Sequence, residues 1–180
     1  MPTEYEARVL QIDPIAVSDL IIARGGKRVG EAFIRRYVYD IAPGDASRWI
    51  RLRDAGGEVT LTVKEIAHDG IDGTHETEIV VDDFDVASEL LGRLGFSPKS
   101  YQENRRTSFV FRGARLEIDA WPLIPPYLEI EGDSSDHVIE TAALLDFEET
   151  QLAGENTIKI YARYGIDLNT TPELRFPEST

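Results

Sequence analysis

Charged residues alternate with apolar residues in three short segments of this 180-residue chain, and this pattern constrains the fold more than any other. The segments are residues 4–8, 51–53 and 129–131. Successive side chains of a β-strand point to opposite faces, so the charges of each segment share one face if each is a strand. Acidic pairs alone indicate a metal site, and basic pairs alone a phosphate site. Both kinds on facing strands predict a cavity that holds a metal–polyphosphate complex.

The same alternation recurs in other segments, and apolar residues fill the face opposite the charges. Polar faces are formed by Thr60, Thr62, Lys64, Arg115, Glu117 and Asp119, and apolar ones by Leu52, Leu61, Val63, Leu116, Ile118, Leu128 and Ile130. Most small barrels have an apolar interior. The pattern here instead predicts an α+β, mainly β fold: a closed eight-stranded antiparallel barrel with a charged lumen and peripheral helices packed on its apolar outside.

Turn and capping signals place the individual elements. Asp13 and Pro14 are typical of a helix start, and Gly25 with Gly26 of its end. The chain is expected to be one domain over residues 1–180, with a core at about 4–161 and a flexible tail over 167–180. We predict strands over residues 3–12, 33–40, 49–53, 58–65, 76–81, 105–111, 115–120 and 127–132, and helices from Asp13 to Gly25 and over 83–95, 136–145 and 156–164.

Composition narrows the class of protein. The net charge of −14 and the pI of about 4.6 disfavour binding to nucleic-acid phosphates and favour small, metal-bound anions. No apolar run approaches the roughly 20 residues of a membrane helix, and no signal peptide precedes the first strand, so we expect no membrane association and a cytoplasmic protein. The absence of Cys excludes disulfides, thiolate metal sites and a Cys nucleophile. A homodimer is one expectation for an oligomeric state that the sequence leaves open.

The charged residues suit two kinds of ligand. Mg²⁺ and Mn²⁺ prefer hard oxygen ligands, and they are usually held by one or two carboxylates together with substrate phosphates. Arginine and lysine bind phosphate oxygens. Two alternatives remain open, namely that the carboxylates form the solvated face of an exposed strand, or that cross-strand ion pairs form without a ligand. The candidate metal ligands are Glu4, Glu6, Glu129 and Glu131, and the candidate triphosphate-binding residues are Arg51, Arg53, Lys64 and Arg106.

Taken together, these motifs resemble the CYTH domains, also called triphosphate tunnel metalloenzymes, over roughly residues 4–161. The matching residues, in chain order, are Glu4, Glu6 and Arg8 (ExExK, with Arg for Lys), Arg51-Leu52-Arg53 (RxR), Thr62-Val63-Lys64 (TvK), Arg106 (KxR), Asp119 and Glu129-Ile130-Glu131 (D…ExE). The resemblance implies catalytic roles for Glu6, Arg8 and Glu131. It implies triphosphate binding by Arg8, Arg51, Arg53, Lys64 and Arg106, and Mg²⁺ or Mn²⁺ binding by Glu4, Glu6, Asp119, Glu129 and Glu131.

The chain departs from the family pattern at three places. Arg8 replaces the motif lysine, Asn104 stands where the KxR strand has its lysine, and only Thr74 and His75 stand where a basic residue often precedes Glu76. The lumen is therefore expected to be less basic than that of a typical member.

The resemblance implies metal-dependent hydrolysis of an inorganic or organic triphosphate: inorganic triphosphate, thiamine triphosphate or ATP. The segment 91–96 is similar to the class IV adenylate cyclase branch, so formation of cyclic AMP and pyrophosphate from ATP is the alternative, ranked slightly lower. A non-catalytic module that binds polyphosphate or nucleotides is a further alternative. A structural β-barrel that serves protein interactions is the last, and it would bind neither metal nor triphosphate.

Overall fold

A computed structural model describes residues 2–177 of the chain. Eight strands of six to fourteen residues make up most of the fold, and two further strands of two residues each are short. In chain order they are β1 (Thr3–Val9), β2 (Lys27–Asp40), β3 (Arg48–Asp54), β4 (Val59–Ile66), β5 (Thr74–Val81), β6 (Ser100–Phe111), β7 (Ala114–Ala120), β8 (Tyr127–Gly132), β9 (Leu152–Ala153) and β10 (Glu173–Leu174).

Four helices begin at side-chain caps that the local sequence supplies. The carboxylate of Asp13 accepts hydrogen bonds from the backbone N–H groups of Ile15 and Ala16, and Pro14 occupies the first helical position as predicted. The helices are α1 (Pro14–Ala23), α2 (Phe84–Arg93), α3 (Ser135–Leu144) and α4 (Thr157–Arg163), with a 3-10 helix over Glu149–Gln151. Within the described residues, no helix has the length and apolar character needed to cross a membrane.

The eight long strands close into a barrel. Their order is β6-β2-β3-β4-β5-β1-β8-β7, and β7 pairs with β6 to complete the circle. Every neighbouring pair in this circle is antiparallel. The predicted closed eight-stranded antiparallel barrel with peripheral helices is confirmed.

Apolar side chains lie between the barrel wall and the helices. Ala7, Leu116 and Ile130 point outward from the strands into a core shared with Val138 of α3 and Ile21 of α1. A second cluster packs α2 against β2, β3 and β4, and a third packs α4 against the segment around Trp121. The helices therefore bury the outer faces of the strands, which leaves the inner faces for polar residues.

The boundaries of several elements differ from those predicted, most of all at the starts of β2 and β6. The structure begins β2 at Lys27 rather than at residue 33, because residues 27–32 pair with β6 apart from a bulge at Val29, although five of the six are exposed and lack an apolar pattern. It begins β6 at Ser100 rather than at residue 105, because residues 100–104 are polar or aromatic on both faces and show no alternation of apolar and polar residues. Within the predicted tail, Leu168 and Leu174 are buried, and β10 pairs with β6. Residues 178–180 lie outside the described part.

Candidate functional site

Charged side chains converge on the barrel lumen, as the alternation predicts. One cavity inside the barrel is lined by residues of all three starting segments together with later strands. Its charged lining includes Glu4, Glu6, Arg8, Arg36, Arg51, Arg53, Lys64, Glu76, Glu78, Arg106, Arg115, Glu129 and Glu131, together with Asp40, Asp45, Arg48 and Lys99. Asp119 is fully buried behind this lining, against Arg106. The alternative of a solvated strand face therefore does not hold for these residues.

The charges are unevenly divided between two sides of the lumen. We call the side formed by β1, β6, β7 and β8 the acidic wall. It holds more carboxylates than guanidinium groups. Its carboxylates belong to Glu4, Glu6, Glu117, Asp119, Glu129 and Glu131, and its guanidinium groups to Arg8, Arg106 and Arg115.

Arg106 is the centre of the acidic wall. Its guanidinium forms a bidentate pair with Asp119, with Nε 2.8 Å from Oδ1 and Nη2 2.6 Å from Oδ2, and it also lies 3.2 Å from Glu129. Although burial opposes a buried cation, Asp119 and Glu129 raise the pKa of Arg106 well above its ordinary value. The Nε and Nη2 donors of Arg106 are therefore engaged by carboxylates of its own wall.

Arg8 joins the two acidic motifs. Its Nη2 lies 3.0 Å from Glu6 Oε1 and 2.6 Å from Glu129 Oε2, and its Nη1 donates to the carbonyl oxygen of Glu155. Burial disfavours the Glu129 carboxylate, but Arg8 and then Arg106 outweigh it and hold the pKa of Glu129 well below its usual range. The arginine that replaces the motif lysine is thus fixed by three contacts in the described structure.

Glu6 and Glu131 face one another directly across the β1–β8 pair. Like charges in directly opposed positions are destabilising unless a cation lies between them. Burial raises the pKa of Glu131, against the attraction of Arg115, and Glu129 and Glu6 add to the rise. This part of the acidic wall therefore favours a cation.

Glu4 extends the carboxylate row toward the opposite side of the lumen. Burial raises its pKa to about 7; Lys64, at 2.9 Å, opposes the rise, and the neighbouring carboxylates Glu6 and Glu76 reinforce it. A carboxylate whose negative charge is so poorly compensated gains from an additional cation.

We call the other side, formed by β2, β3, β4 and β5, the basic wall. Its cavity-lining charges include the cations of Arg36, Arg51, Arg53 and Lys64 and the carboxylates of Glu76 and Glu78. Glu78 accepts from Thr62 Oγ1 at 2.6 Å and lies 3.0 Å from Arg51 and 3.4 Å from Arg53. Cations outnumber carboxylates here, so the basic wall favours an anion.

Adjacent arginines on β2 lie on opposite sides of the barrel wall. Arg36 lines the lumen, is 8% exposed, and stacks on Trp121 with Cζ 4.6 Å from the ring centroid. Arg35 points outward, pairs with Asp54 at 3.0 Å and stacks on Phe84. Because successive side chains of a strand alternate, only one of these two neighbours can face the lumen.

The lumen contains the residues predicted from the motifs and some that the motifs do not include. All predicted metal and triphosphate residues line the lumen or, in the case of Asp119, lie directly behind it. Glu76 and Glu78, which lie outside the matching motifs, also line it. Glu117, which is 4% exposed and accepts from Ser108, was not singled out, although its alternation with Asp119 was the available signal.

The donor set fits a divalent cation that arrives with phosphate. Within residues 2–177, no three acidic or His side chains form a preformed cage for a metal ion. The carboxylates of Glu4 and Glu6 are instead engaged by Lys64 and Arg8. Mg²⁺ is usually held by only one or two carboxylates with substrate phosphates and waters. The poorly compensated row Glu4, Glu6 and Glu131 is where the residues fit this group.

Solved structures share this fold. A protein from Pyrococcus horikoshii OT3, PH1012, is 21% identical with a TM-score of 0.75, over 87% of this chain and 98% of that one. A Vibrio parahaemolyticus protein provisionally named an adenylate cyclase is 14% identical with a TM-score of 0.74, over 89% and 98%. A Hippeastrum protein, provisionally named an adenylyl cyclase and described as having a dominant triphosphatase activity, is 18% identical with a TM-score of 0.60, over 93% and 99%.

At these identities the likeness establishes the fold. No curated protein matches the sequence. The model of one family, the CYTH domain, matches residues 3–162, which include every strand of the closed barrel and every charged residue of its two walls. The chain belongs to the CYTH domain family.

Proposed function

We propose that this protein is a metal-dependent triphosphatase that hydrolyses inorganic or organic triphosphate inside the barrel. The observation that carries the proposal is the division of the lumen into an acidic and a basic wall. A metal–triphosphate complex has one cationic and one anionic component, and a lumen divided in this way can neutralise both.

The basic wall is the proposed binding surface for the phosphate chain. Arg51, Arg53 and Lys64 present guanidinium and ammonium donors to the lumen, with Arg8 and Arg106 contributing from the other side. Burial, then repulsion from Arg51, lowers the pKa of Arg53 to about 10. An anion relieves this repulsion, so the free energy of binding includes the release of an existing electrostatic cost.

The acidic wall is the proposed binding site of Mg²⁺ or Mn²⁺. Glu4, Glu6 and Glu131 would hold the cation from the poorly compensated row, with Glu129 and Asp119 behind it. When bound, a divalent cation neutralises phosphate oxygens and makes the terminal phosphorus more electrophilic. Which of the two metals serves is left to experiment.

The proposed reaction is in-line attack of water on the terminal phosphorus. The water oxygen forms the new bond to phosphorus, the bond from phosphorus to the bridging oxygen breaks, and one proton of the water passes to the released phosphates or to solvent, so that orthophosphate and the diphosphate are the products. Glu6 and Glu131 orient the water, and Arg8 stabilises the developing negative charge. Arg8 acts electrostatically because an arginine does not give up its proton readily. Positioning and charge stabilisation dominate such reactions.

Cyclisation of ATP uses the same two walls with the nucleotide bound in the other direction. The ribose 3′-hydroxyl then attacks the α-phosphorus, and pyrophosphate leaves. The name of the Vibrio neighbour is a reason to test cyclisation, whereas the activity described for the Hippeastrum neighbour favours hydrolysis.

The decisive experiment is product analysis with a panel of substrates. Inorganic triphosphate, thiamine triphosphate and ATP are each incubated with the protein and Mg²⁺ or Mn²⁺, and a chelator serves as the control. We expect free phosphate that depends on metal. Cyclic AMP with pyrophosphate identifies a cyclase instead. Tight binding without turnover identifies a binding module, and neither binding nor turnover identifies a structural barrel.

A further inference from the structure

Arg36 has no acidic partner within hydrogen-bonding distance in the part of the chain that the structure describes. Its Nη2 donates to the neutral amide oxygen of Asn104. Among residues 2–177, its buried Nε has no hydrogen-bond partner. A buried charge without a counter-ion is costly to retain, and one side of this guanidinium is covered by Trp121. The Arg36 side chain also lines the lumen.

The neighbours of Arg36 increase this cost. Arg53 lies directly opposite it across the β2–β3 pair. Burial lowers the pKa of Arg36 to about 9, and repulsion from Arg51 and Arg106 adds to the effect. On the same wall, the buried Nε of Arg51 and the hydroxyl of Thr60 also lack partners among the described residues. Arg53 in turn lies directly opposite Thr60 across the β3–β4 pair, so Arg36, Arg53 and Thr60 form one cross-strand row.

Asn104 connects this region to a departure already visible in the sequence. It stands on β6 where the KxR motif has a lysine, it is fully buried, and its amide nitrogen donates to Asp119 at 2.8 Å. A lysine at this position would place a second cation against Arg36. The neutral amide instead accepts a hydrogen bond from Arg36 and holds it in place.

From these contacts we propose that Arg36 is a further phosphate-binding residue, which supplies from strand β2 the positive charge that strand β6 lacks at Asn104. Together with Arg53 it forms a subsite for one phosphoryl group of the triphosphate. Trp121 supports the guanidinium from behind, and Asn104 fixes its orientation. This inference rests on the proposed triphosphate binding and adds a residue to that site.

The test measures affinity for inorganic triphosphate by calorimetry in the presence of a chelator, so that no turnover occurs. Arg36→Gln should weaken binding by about 10- to 100-fold, the value of a charge-assisted hydrogen bond. Arg36→Lys, which keeps the charge, should weaken it less. The KM for triphosphate with Mg²⁺ should rise in the same order, and kcat should change less than KM.

The neighbouring Arg35 provides a matched control. It lies on the same strand and also stacks on an aromatic ring, but it pairs with Asp54 outside the barrel. Arg35→Gln should leave both the dissociation constant and KM within about twofold of the parent.

A second variant separates phosphate binding from a purely structural role. In Arg36→Gln/Asn104→Lys the positive charge returns to β6, so affinity should recover to within a few-fold of the parent. A residue needed only for packing on Trp121 is not rescued by a charge on another strand. If Arg36→Gln alone does not fold, the affinity of this double variant still tests whether Arg36 acts through its charge.

The outcomes separate this inference from the proposed function. If the parent protein neither binds nor hydrolyses triphosphate, the proposed function fails and the inference fails with it. If the parent does so and Arg36→Gln retains the parent affinity and KM, only the inference is overturned. Loss of affinity that the double variant does not restore also overturns it, because Arg36 would then act through packing.

Discussion

The acidic and basic walls of the lumen are built from the same kinds of residue but have opposite electrostatic states. In the acidic wall, carboxylates surround Arg106 and Arg8 and raise the pKa of both. In the basic wall, Arg36 and Arg53 have lowered pKa values, because burial and neighbouring arginines disfavour their charge. The charged form of an arginine side chain is therefore stabilised in the acidic wall and destabilised in the basic wall.

This difference indicates what each wall is prepared to bind. The pairs of the acidic wall are short and buried, so its arginines mainly hold carboxylates in position, and the exception is the carboxylate row at Glu4, Glu6 and Glu131. Both walls contain buried nitrogen atoms without hydrogen-bond partners among the described residues, at Arg8, Arg36 and Arg51, but Arg36 of the basic wall is the one that also lacks a carboxylate partner there. If the comparison is right, substitutions in the acidic row reduce turnover, and substitutions in the basic wall reduce affinity.

The largest effect is expected in the carboxylate row. Glu131→Gln or Glu6→Gln should lower turnover of triphosphate by about 100- to 1000-fold, because each removes a ligand charge while keeping the side-chain volume. Initial rates across a Mg²⁺ or Mn²⁺ titration measure it, and circular dichroism checks the fold. Glu58→Gln, at an exposed position in the β3–β4 turn, is the control. Parent-like activity at every metal concentration would remove these residues from the metal site.

The next effect concerns Arg8, which touches both acidic motifs. Arg8→Ala leaves Glu129 with Arg106 as its nearest cation and frees Glu6, so turnover should fall on the order of 100-fold. Arg8→Lys restores the motif residue and should retain or increase the rate. Steady-state kinetics of the two variants provide the comparison. An alanine variant as fast as the parent would show that Arg8 serves packing alone.

A smaller effect, on affinity, is expected in the basic wall. Arg53→Ala should weaken triphosphate binding by about 1.5–3 kcal/mol, the typical contribution of a hydrogen bond to a charged group. Calorimetry with inorganic triphosphate measures it, and kcat should change much less than the dissociation constant. A fall in kcat at unchanged affinity would contradict the division of labour between the walls.

The smallest effect is a pH dependence of stability that originates at Glu4. Its folded pKa of about 7 lies above the ordinary 4.5, so the folded protein binds this proton more tightly than the unfolded chain does. The resulting stabilisation is fully present below about pH 4.5 and is lost as the pH rises through 7. Glu4→Gln should remove about 2 kcal/mol of this dependence, measured by urea unfolding between pH 4.5 and 8.

The opposite sign is expected for Glu129, whose pKa is lowered. The contribution of Glu129 to the free energy of unfolding is present above about pH 4.5 and is lost as the pH falls.

For Glu4, the contradicting outcome is a Glu4→Gln protein whose stability changes with pH in parallel with the parent. That outcome would show that the pKa of Glu4 is not raised in the folded state.

The sequence predicted the long strands of the barrel better than it predicted their ends and the two short strands. Strands with strict alternation, such as β8, were placed to the residue, and the Asp13 cap placed the start of α1. The first half of β2 was missed because its residues are mostly exposed on both faces and are held by pairing with β6. The two-residue strands β9 and β10 were missed because strands so short carry no periodic pattern.

The sequence by itself determined which faces of β1, β3 and β8 carry charge, because the direction of a side chain on a strand is a local property with a period of two residues. Only the tertiary structure decided how those charges pair. Arg35 and Arg36 are identical neighbours, and the pairing of β2 with β3 and β6 alone places Arg36 in the lumen, beside the distant Asn104. Ion pairing and burial depend on strands far apart in the chain, and these long-range contacts make one wall acidic and the other basic.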